Sequence, residues 1–176
     1  NVATSIKLLG KSMRYVLDNT GTSFTTLTKE LEYIKTYLSI QQLRFGDRVN
    51  YTLQVDEDLD TNSCKILPLL LQPVVENAIL HGLESKTEDG MITIQIASAD
   101  ATLLITIKDN GQGMTNEELD ALRDRIRNYP SSDTHSIGLY NINQRISLFY
   151  GEGYYMEIDS AIGAGTTVRL KIPKTI

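Results

Sequence analysis

Leu103-Leu104-Ile105-Thr106-Ile107-Lys108-Asp109-Asn110-Gly111-Gln112-Gly113 is the stretch whose reading decides the fold. Apolar residues at 103, 105 and 107 alternate with Leu104, Thr106 and Lys108, the period of a strand with one buried face. The strand ends in a carboxylate and turns through two glycines, so one fixed hydrogen-bond acceptor can stand at the floor of a pocket. Asp-Asn-Gly is equally an ordinary tight turn. The rest of the chain has to decide between the two.

Moving outward, the two-residue period recurs at Ile92, Ile94 and Ile96 and at Val49, Tyr51, Leu53 and Val55. On the other side, Tyr154 to Asp159 and Thr166 to Ile172 complete about five strands. Three helical segments lie between them. Leu67 to His81 has Pro68 near its first turn and an apolar stripe of Leu67, Leu71, Val74 and Ala78. A second follows Thr115, whose hydroxyl and Glu118 form a capping-box signature ahead of Leu119, Leu122 and Ile126. The third carries Leu139, Ile142, Ile146 and Phe149 on one side. Helices with one apolar stripe and half-polar strands predict an α/β two-layer sandwich, a mixed sheet of about five strands with three helices on one face. Asn128 to Ser136 is polar and aperiodic, which predicts a mobile flap.

At the N-terminus the period is helical: Val2, Ile6, Leu9, Met13 and Val16, then Leu27, Leu31, Ile34, Leu38 and Phe45 after Asn19-Thr20-Gly21-Thr22. This predicts a helical hairpin over 1–45 ahead of a globular domain over 46–176. Two such helices bury too little alone, so their seam needs a partner, most simply the hairpin of a second copy; the alternative is the chain's own globular part. The chain begins at Asn1 inside a helical pattern without an initiator Met, as expected of a piece of a longer protein.

Composition narrows the function. With 176 residues, 41% of them hydrophobic, the chain can bury a real core. The net charge of -5 and scattered basic residues argue against a nucleic-acid or anionic-membrane surface, which needs a concentrated basic face. A single cysteine, Cys64, excludes an internal disulfide and a cysteine zinc cluster. No apolar run approaches the ~20 residues of a membrane helix.

The polar residues that interrupt the apolar pattern point to chemistry. Asn77 and His81 stand one turn apart on the first helix of the domain, with Glu76 one step around. An asparagine oxygen can ligate a hard divalent cation without adding charge, which suits Mg²⁺ that keeps waters and phosphate oxygens; the alternative is that Asn77 and His81 satisfy backbone or solvent. Asp109 could accept from the exocyclic amine of adenine, where guanine would present a carbonyl. Gly111 and Gly113 would let the backbone pass close beneath a nucleotide. At Ser136-Ile137-Gly138-Leu139 a helix start could offer amides to phosphate, or be a plain serine cap. Gly163-Ala164-Gly165-Thr166-Thr167 turns into the last strand. A calcium loop and a Walker loop are both excluded by the positions of the glycines.

Together, Leu69-Leu70-Leu71-Gln72-Pro73-Val74-Val75-Glu76-Asn77-Ala78, Asp109-Asn110-Gly111-Gln112-Gly113-Met114, Ile137-Gly138-Leu139-Tyr140-Asn141-Ile142 with Arg145, and Gly163 to Thr167 resemble the N, G1, G2 and G3 boxes of sensor histidine kinases of the LytS/YesM-like branch. Leu31-Glu32-Tyr33-Ile34 to Arg44-Phe45-Gly46-Asp47-Arg48 resembles that branch's helix and linker. The resemblance implies a Bergerat (GHKL) ATP-binding fold in which Asn77 binds Mg²⁺ and Asp109 holds adenine. Gly111 and Gly113 would support the base, and His81, Gly138, Leu139 and Thr166 would line the pocket. The ATP lid would span about 114–136, and Glu76 would assist catalysis. It further implies transfer of the ATP γ-phosphoryl group to a histidine on the hairpin of a homodimer and on to an aspartate of a response regulator. Relatives of this kind are tethered to the bacterial membrane by an upstream sensor domain, with the catalytic part in the cytoplasm.

Two departures matter. Where many histidine kinases carry a second asparagine and related ATPases a water-activating glutamate, this chain has Pro73, which favours phosphoryl transfer over ATP hydrolysis. Ser136 and Tyr140 replace glycines of the second motif. Neither His81 nor His135 lies in an Asn-Pro-His-Phe-like setting, so the chain is expected to bind ATP without phosphorylating itself. A nucleotide-gated interaction module without phosphotransfer and an ATPase of the same fold are the competing readings.

Overall fold

The computed structural model describes residues 2–19, 24–83, 86–128 and 137–175. Two helices lead, α1 (Val2–Asn19) and α2 (Leu27–Phe45), with the short strand β1 (Thr25–Thr26) between them. Then follow β2 (Val49–Val55), β3 (Lys65–Ile66), α3 (Gln72–Asn77) and a π-helical turn, Ala78–Leu83. The hairpin of β4 (Gly90–Ala99) and β5 (Thr102–Asp109), the helices α4 (Asn116–Arg127) and α5 (Ile137–Tyr150), and the hairpin of β6 (Tyr155–Ala161) and β7 (Gly165–Pro173) complete the chain.

The main sheet has the order β2-β4-β5-β7-β6, parallel between β2 and β4 and antiparallel elsewhere. This is the mixed five-stranded sheet that the alternation predicts. Register explains the layer beneath it: Ile94 pairs with Ile107, which pairs with Val168, and Ile96 pairs with Ile105, which pairs with Leu170. These rows are buried and form one core with Val74, Val75, Leu139, Ile142 and Ile146 from the helices.

The hairpin seam differs from expectation. Leu27, Leu31, Ile34, Leu38 and Phe45 of α2 lie in the chain's own core, and the loop before β3 caps the helix, with the Leu27 and Thr28 amides donating to the carbonyls of Cys64 and Thr61. The apolar side of α2 is therefore satisfied within the chain, as in the alternative that the periodicity leaves open. Of the two hairpin helices, α1 presents an open stripe among its described residues, with Ile6, Leu9, Met13 and Leu17 between 55% and 71% exposed.

The segment expected as one helix over 67–81 begins only at Gln72. Leu69 sits at φ +56°, in the left-handed region, which no helix accommodates. Pro73 rather than Pro68 occupies the first turn, where a missing N–H costs nothing. Beyond Asn77 the backbone widens into the π turn, a feature that concentrates at functional sites. The flap expected over 128–136, His135 and Ser136 lie outside the described residues, apart from Asn128.

Candidate functional site

Asp109 closes β5 opposite Ile92, so its side chain falls on the buried face, 3% exposed. Its Oδ1 accepts from the amide of Gly111 at 2.8 Å and from that of Thr166 at 3.2 Å. The first bond is the side-chain turn that Asp-Asn-Gly favours. One oxygen therefore makes the turn, while Oδ2 has no donor among the described residues and Asp109 lines a cavity. Burial pushes this carboxyl up, against the pull of the amides of Gly111 and Thr166.

Glycines let three backbone segments converge here. A Cβ on Gly111 would stand 2.1 Å from the Gly82 carbonyl oxygen, and one on Gly82 2.7 Å from Asp109 Cγ. Gly113, at φ +67°, would meet the Ala161 carbonyl oxygen at 1.8 Å, and Gly165, at φ +80°, that of Asp109 at 2.0 Å. Gly82 is a site residue the sequence does not single out, because a glycine just past His81 reads as an ordinary helix stop. Asn110 holds the turn from behind: its Oδ1 accepts from Met91 N at 2.8 Å and its Nδ2 donates to the Asp89 carbonyl at 2.8 Å.

The cavity above this floor has a volume of about 290 Å³. Of the residues singled out in the sequence, Asn77, His81, Asp109, Gly113, Leu139 and Thr166 line it. Asn77 ends α3, and the π turn carries His81 to the same wall. Gly111, Gly138 and Glu76 do not line it. Gly111 lies against Gly82 under the floor, and Gly138 is at α5, where a Cβ would come within 3.3 Å of Pro73 Cβ. The charge of Glu76 acts on α2 instead: burial first, then that charge, pushes the Tyr37 phenol up to about 12.

The cavity is covered by α4, whose Glu118, Leu122 and Arg125 face it. The steps of four and three that align these residues are the signal that could have marked Arg125. The cover is anchored at both ends. At its start Thr115 Oγ1 accepts from Glu118 N at 3.1 Å while Glu118 Oε2 accepts from Thr115 N at 2.8 Å, the predicted capping box. Further along, Arg123 donates from Nη2 to the Ile158 carbonyl at 2.8 Å. Arg145, part of the second glycine motif, lies outside the cavity and donates from Nη2 to the Pro68 carbonyl at 2.7 Å.

Among the described residues no three His, Cys, Asp or Glu side chains gather to hold a metal. The donor set fits Mg²⁺ nonetheless. One neutral amide oxygen on Asn77 suits an octahedral ion that retains waters and is carried on phosphate oxygens, rather than an all-protein cage.

Comparison with known proteins gives the family and the fold. The family model described as histidine kinase-, DNA gyrase B- and HSP90-like ATPase matches residues 66–176, and a histidine kinase model matches residues 1–49. The sensor histidine kinase YesM of Bacillus subtilis is 34% identical over 176 residues, covering 98% of this chain and 28% of the relative. The sensor protein LytS of Oceanobacillus iheyensis is 36% identical over 165 residues, covering 94% and 28%. The chain thus spans just over a quarter of the length of these curated relatives. Among solved structures, the histidine kinase domain of the Erythrobacter litoralis EL346 blue-light activated kinase superposes with a TM-score of 0.61 at 17% identity, over 98% of this chain and 74% of that one. The histidine kinase ThkA, solved in complex with the response regulator TrrA, superposes with a TM-score of 0.61 at 15% identity, over 99% and 49%.

Proposed function

Because this chain belongs to the histidine kinase-, DNA gyrase B- and HSP90-like ATPase family, we propose that it is the ATP-binding catalytic part of a two-component sensor histidine kinase, acting on a histidine supplied from outside these residues. The observation that carries the proposal is the shared cavity: the Asp109 carboxylate forms its floor and the Asn77 amide its wall, beneath α4.

The roles follow from the chemistry at each position. Asp109 Oδ2 accepts from the exocyclic amine of adenine. Guanine would set a carbonyl against that carboxylate, so ATP is preferred over GTP by roughly 1.5 to 3 kcal/mol, one to two decades in affinity. Thr166 and Gly113 bound the base, and apolar Leu139, Val74 and Ile107 exclude water around it. Asn77 and His81, on one wall of the cavity, would meet the phosphates, and Asn77 would hold the Mg²⁺ that offsets their charge. Pro73 leaves the asparagine helix without a water-activating carboxylate four residues before Asn77, which disfavours hydrolysis. In the transfer the bond from the γ-phosphorus to the bridging oxygen breaks, a phosphorus–nitrogen bond forms to an imidazole nitrogen, and ADP leaves. Glu76, outside the cavity but beside Asn77 and near enough to the α2 tyrosines for its charge to act on them, would assist an acceptor histidine brought from that side. A response regulator then takes the phosphoryl group on an aspartate.

The open stripe on α1 fits a second copy of the hairpin in a homodimer, and the catalytic part would face the cytoplasm below an upstream membrane sensor domain. No described helix is itself long and apolar enough to cross a membrane.

The test is calorimetric titration with ATP and GTP, followed by incubation with labelled ATP and a polypeptide carrying the upstream histidine segment. ATP binding over GTP and acid-labile label on that polypeptide are expected. Steady phosphate release with no acceptor would favour an ATPase instead, and binding with neither outcome would favour a nucleotide-gated interaction module.

A further inference from the structure

Outside the cavity, the most elaborate polar arrangement joins the helical hairpin to the start of the asparagine helix. Glu30 of α2 is fully buried. Its Oε1 accepts from the amide of Leu71 at 3.1 Å, and its Oε2 accepts from the amide of Leu69 at 3.0 Å and from the Tyr15 hydroxyl of α1. One turn further along α2, the Tyr33 hydroxyl donates to Oε1 of Gln72, the first residue of α3, at 2.9 Å. The Tyr15 and Tyr33 rings stack with centroids 4.5 Å apart. From α5, Arg145 holds the Pro68 carbonyl.

The segment gripped in this way is the one that holds a left-handed leucine, Leu69 at φ +56°. A non-glycine residue persists there only where its surroundings over-determine it. A buried carboxylate is itself costly unless every lone pair is matched. Neither Glu30, Tyr33 nor Leu69 touches the cavity. They sit instead at the point from which α3 starts, and α3 has six residues, the last being Asn77. Five residue steps of ~1.5 Å separate its first residue from its last, so Gln72 and Asn77 belong to one short element, held between them by the buried Val74 and Val75, and a shift of its start changes the place of its end.

We infer that Glu30 is a positioning residue. By gripping the amides of Leu69 and Leu71 it sets the start of α3 and through it the place of Asn77, so the seating of the helical hairpin and the magnesium-dependent grip on the nucleotide are one equilibrium. The inference rests on the reading that Asn77 holds Mg²⁺. Linkage then runs both ways: a hairpin shifted by an upstream signal loosens Mg²⁺–ATP, and Mg²⁺–ATP tightens the hairpin.

Glu30→Gln tests it, because the amide replaces one acceptor with a donor that opposes a backbone N–H. The measurement is the affinity for ATP with Mg²⁺, for ATP with a chelator and for adenosine, in the wild type, Glu30→Gln, Tyr33→Phe and Asn77→Ala. The expected result for Glu30→Gln is a roughly tenfold loss with Mg²⁺–ATP and unchanged adenosine binding, since the adenine contact is made from β5. A residue that merely supports the fold would weaken all three ligands together or none. Tyr33→Phe, which keeps the ring stack and removes only the hydroxyl bound to Gln72, shows a smaller loss of the same selectivity and serves if Glu30→Gln does not fold. Loss of the Mg²⁺ increment in Asn77→Ala with none in either α2 variant overturns the positioning role. An undiminished increment in Asn77→Ala overturns the metal assignment itself, and this inference with it.

Discussion

At Asp109 one carboxylate oxygen builds the turn while the other has no donor among the described residues and the residue lines the cavity, so structure and binding can be separated by a single substitution. Asp109→Asn retains Oδ1 as acceptor for Gly111 and Thr166 but places an NH₂ donor where the adenine amine also donates. ATP binding should drop by at least about one to two decades in a titration. Stability should move the other way. Burial raises the carboxyl in the folded state, so its contribution to stability is present below the unfolded value, near 3.9, and is lost as pH rises through the folded one. At neutral pH the ionised group therefore costs stability, and the neutral Asn does not. Thermal unfolding at pH 7 should occur at the same temperature as wild type or higher, and a marked decrease would show that the carboxylate holds the fold. In the native protein, ATP affinity should begin to weaken on acidification at a higher pH than for an ordinary aspartate, as Oδ2 takes up a proton; a pH series of titrations reads this directly. Asn77→Ala leaves the adenine contact in place, so its effect should fall on the Mg²⁺ dependence of binding.

Among the elements, α4 and α2 show opposite balances. The predicted capping box of α4 joins Thr115 to Glu118, and Thr115→Ala should cost about 1 kcal/mol and speed hydrogen exchange at the first turn of α4. Because the cavity's cover carries Glu118, Leu122 and Arg125, nucleotide affinity should weaken in the same variant. Unchanged exchange at 116–119 would mean that the Arg123 anchor alone suffices. The α2 helix, by contrast, is part of the core. Ile34 is wholly buried, and Ile34→Ala should lower unfolding free energy by roughly 2 to 5 kcal/mol in denaturant titration, a loss an exposed bundle position would not show. Its period was legible in the chain, but which partner it meets was not, since an apolar stripe is the same against a second copy or against one's own sheet. Likewise Pro68 and Pro73 both suit a first turn, and the left-handed Leu69 between them carries no mark in sequence.

For the whole molecule, the open stripe of α1 sets assembly apart from the adenine contact. Leu9→Asp combined with Met13→Asp should shift the sedimentation coefficient from dimer to monomer while leaving adenosine binding unchanged, because neither residue lines the cavity. A chain that is monomeric before substitution would leave the stripe without the partner assigned to it.

The strands, their alternation and the acid-glycine turn were readable from residues alone, because side-chain period and turn chemistry are local properties of the backbone. The four motifs, taken in order, also carried the family. What only the folded chain decided is how distant segments meet: Gly82 against Asp109, Arg125 over the cavity, Arg145 on Pro68 rather than at the site, and Glu30 beneath the start of α3. Gly82 and Asp109 are 27 positions apart along the chain, Glu30 and Leu69 39, and Arg145 and Pro68 77, and at such separations packing and hydrogen-bond geometry, not local pattern, select the partner.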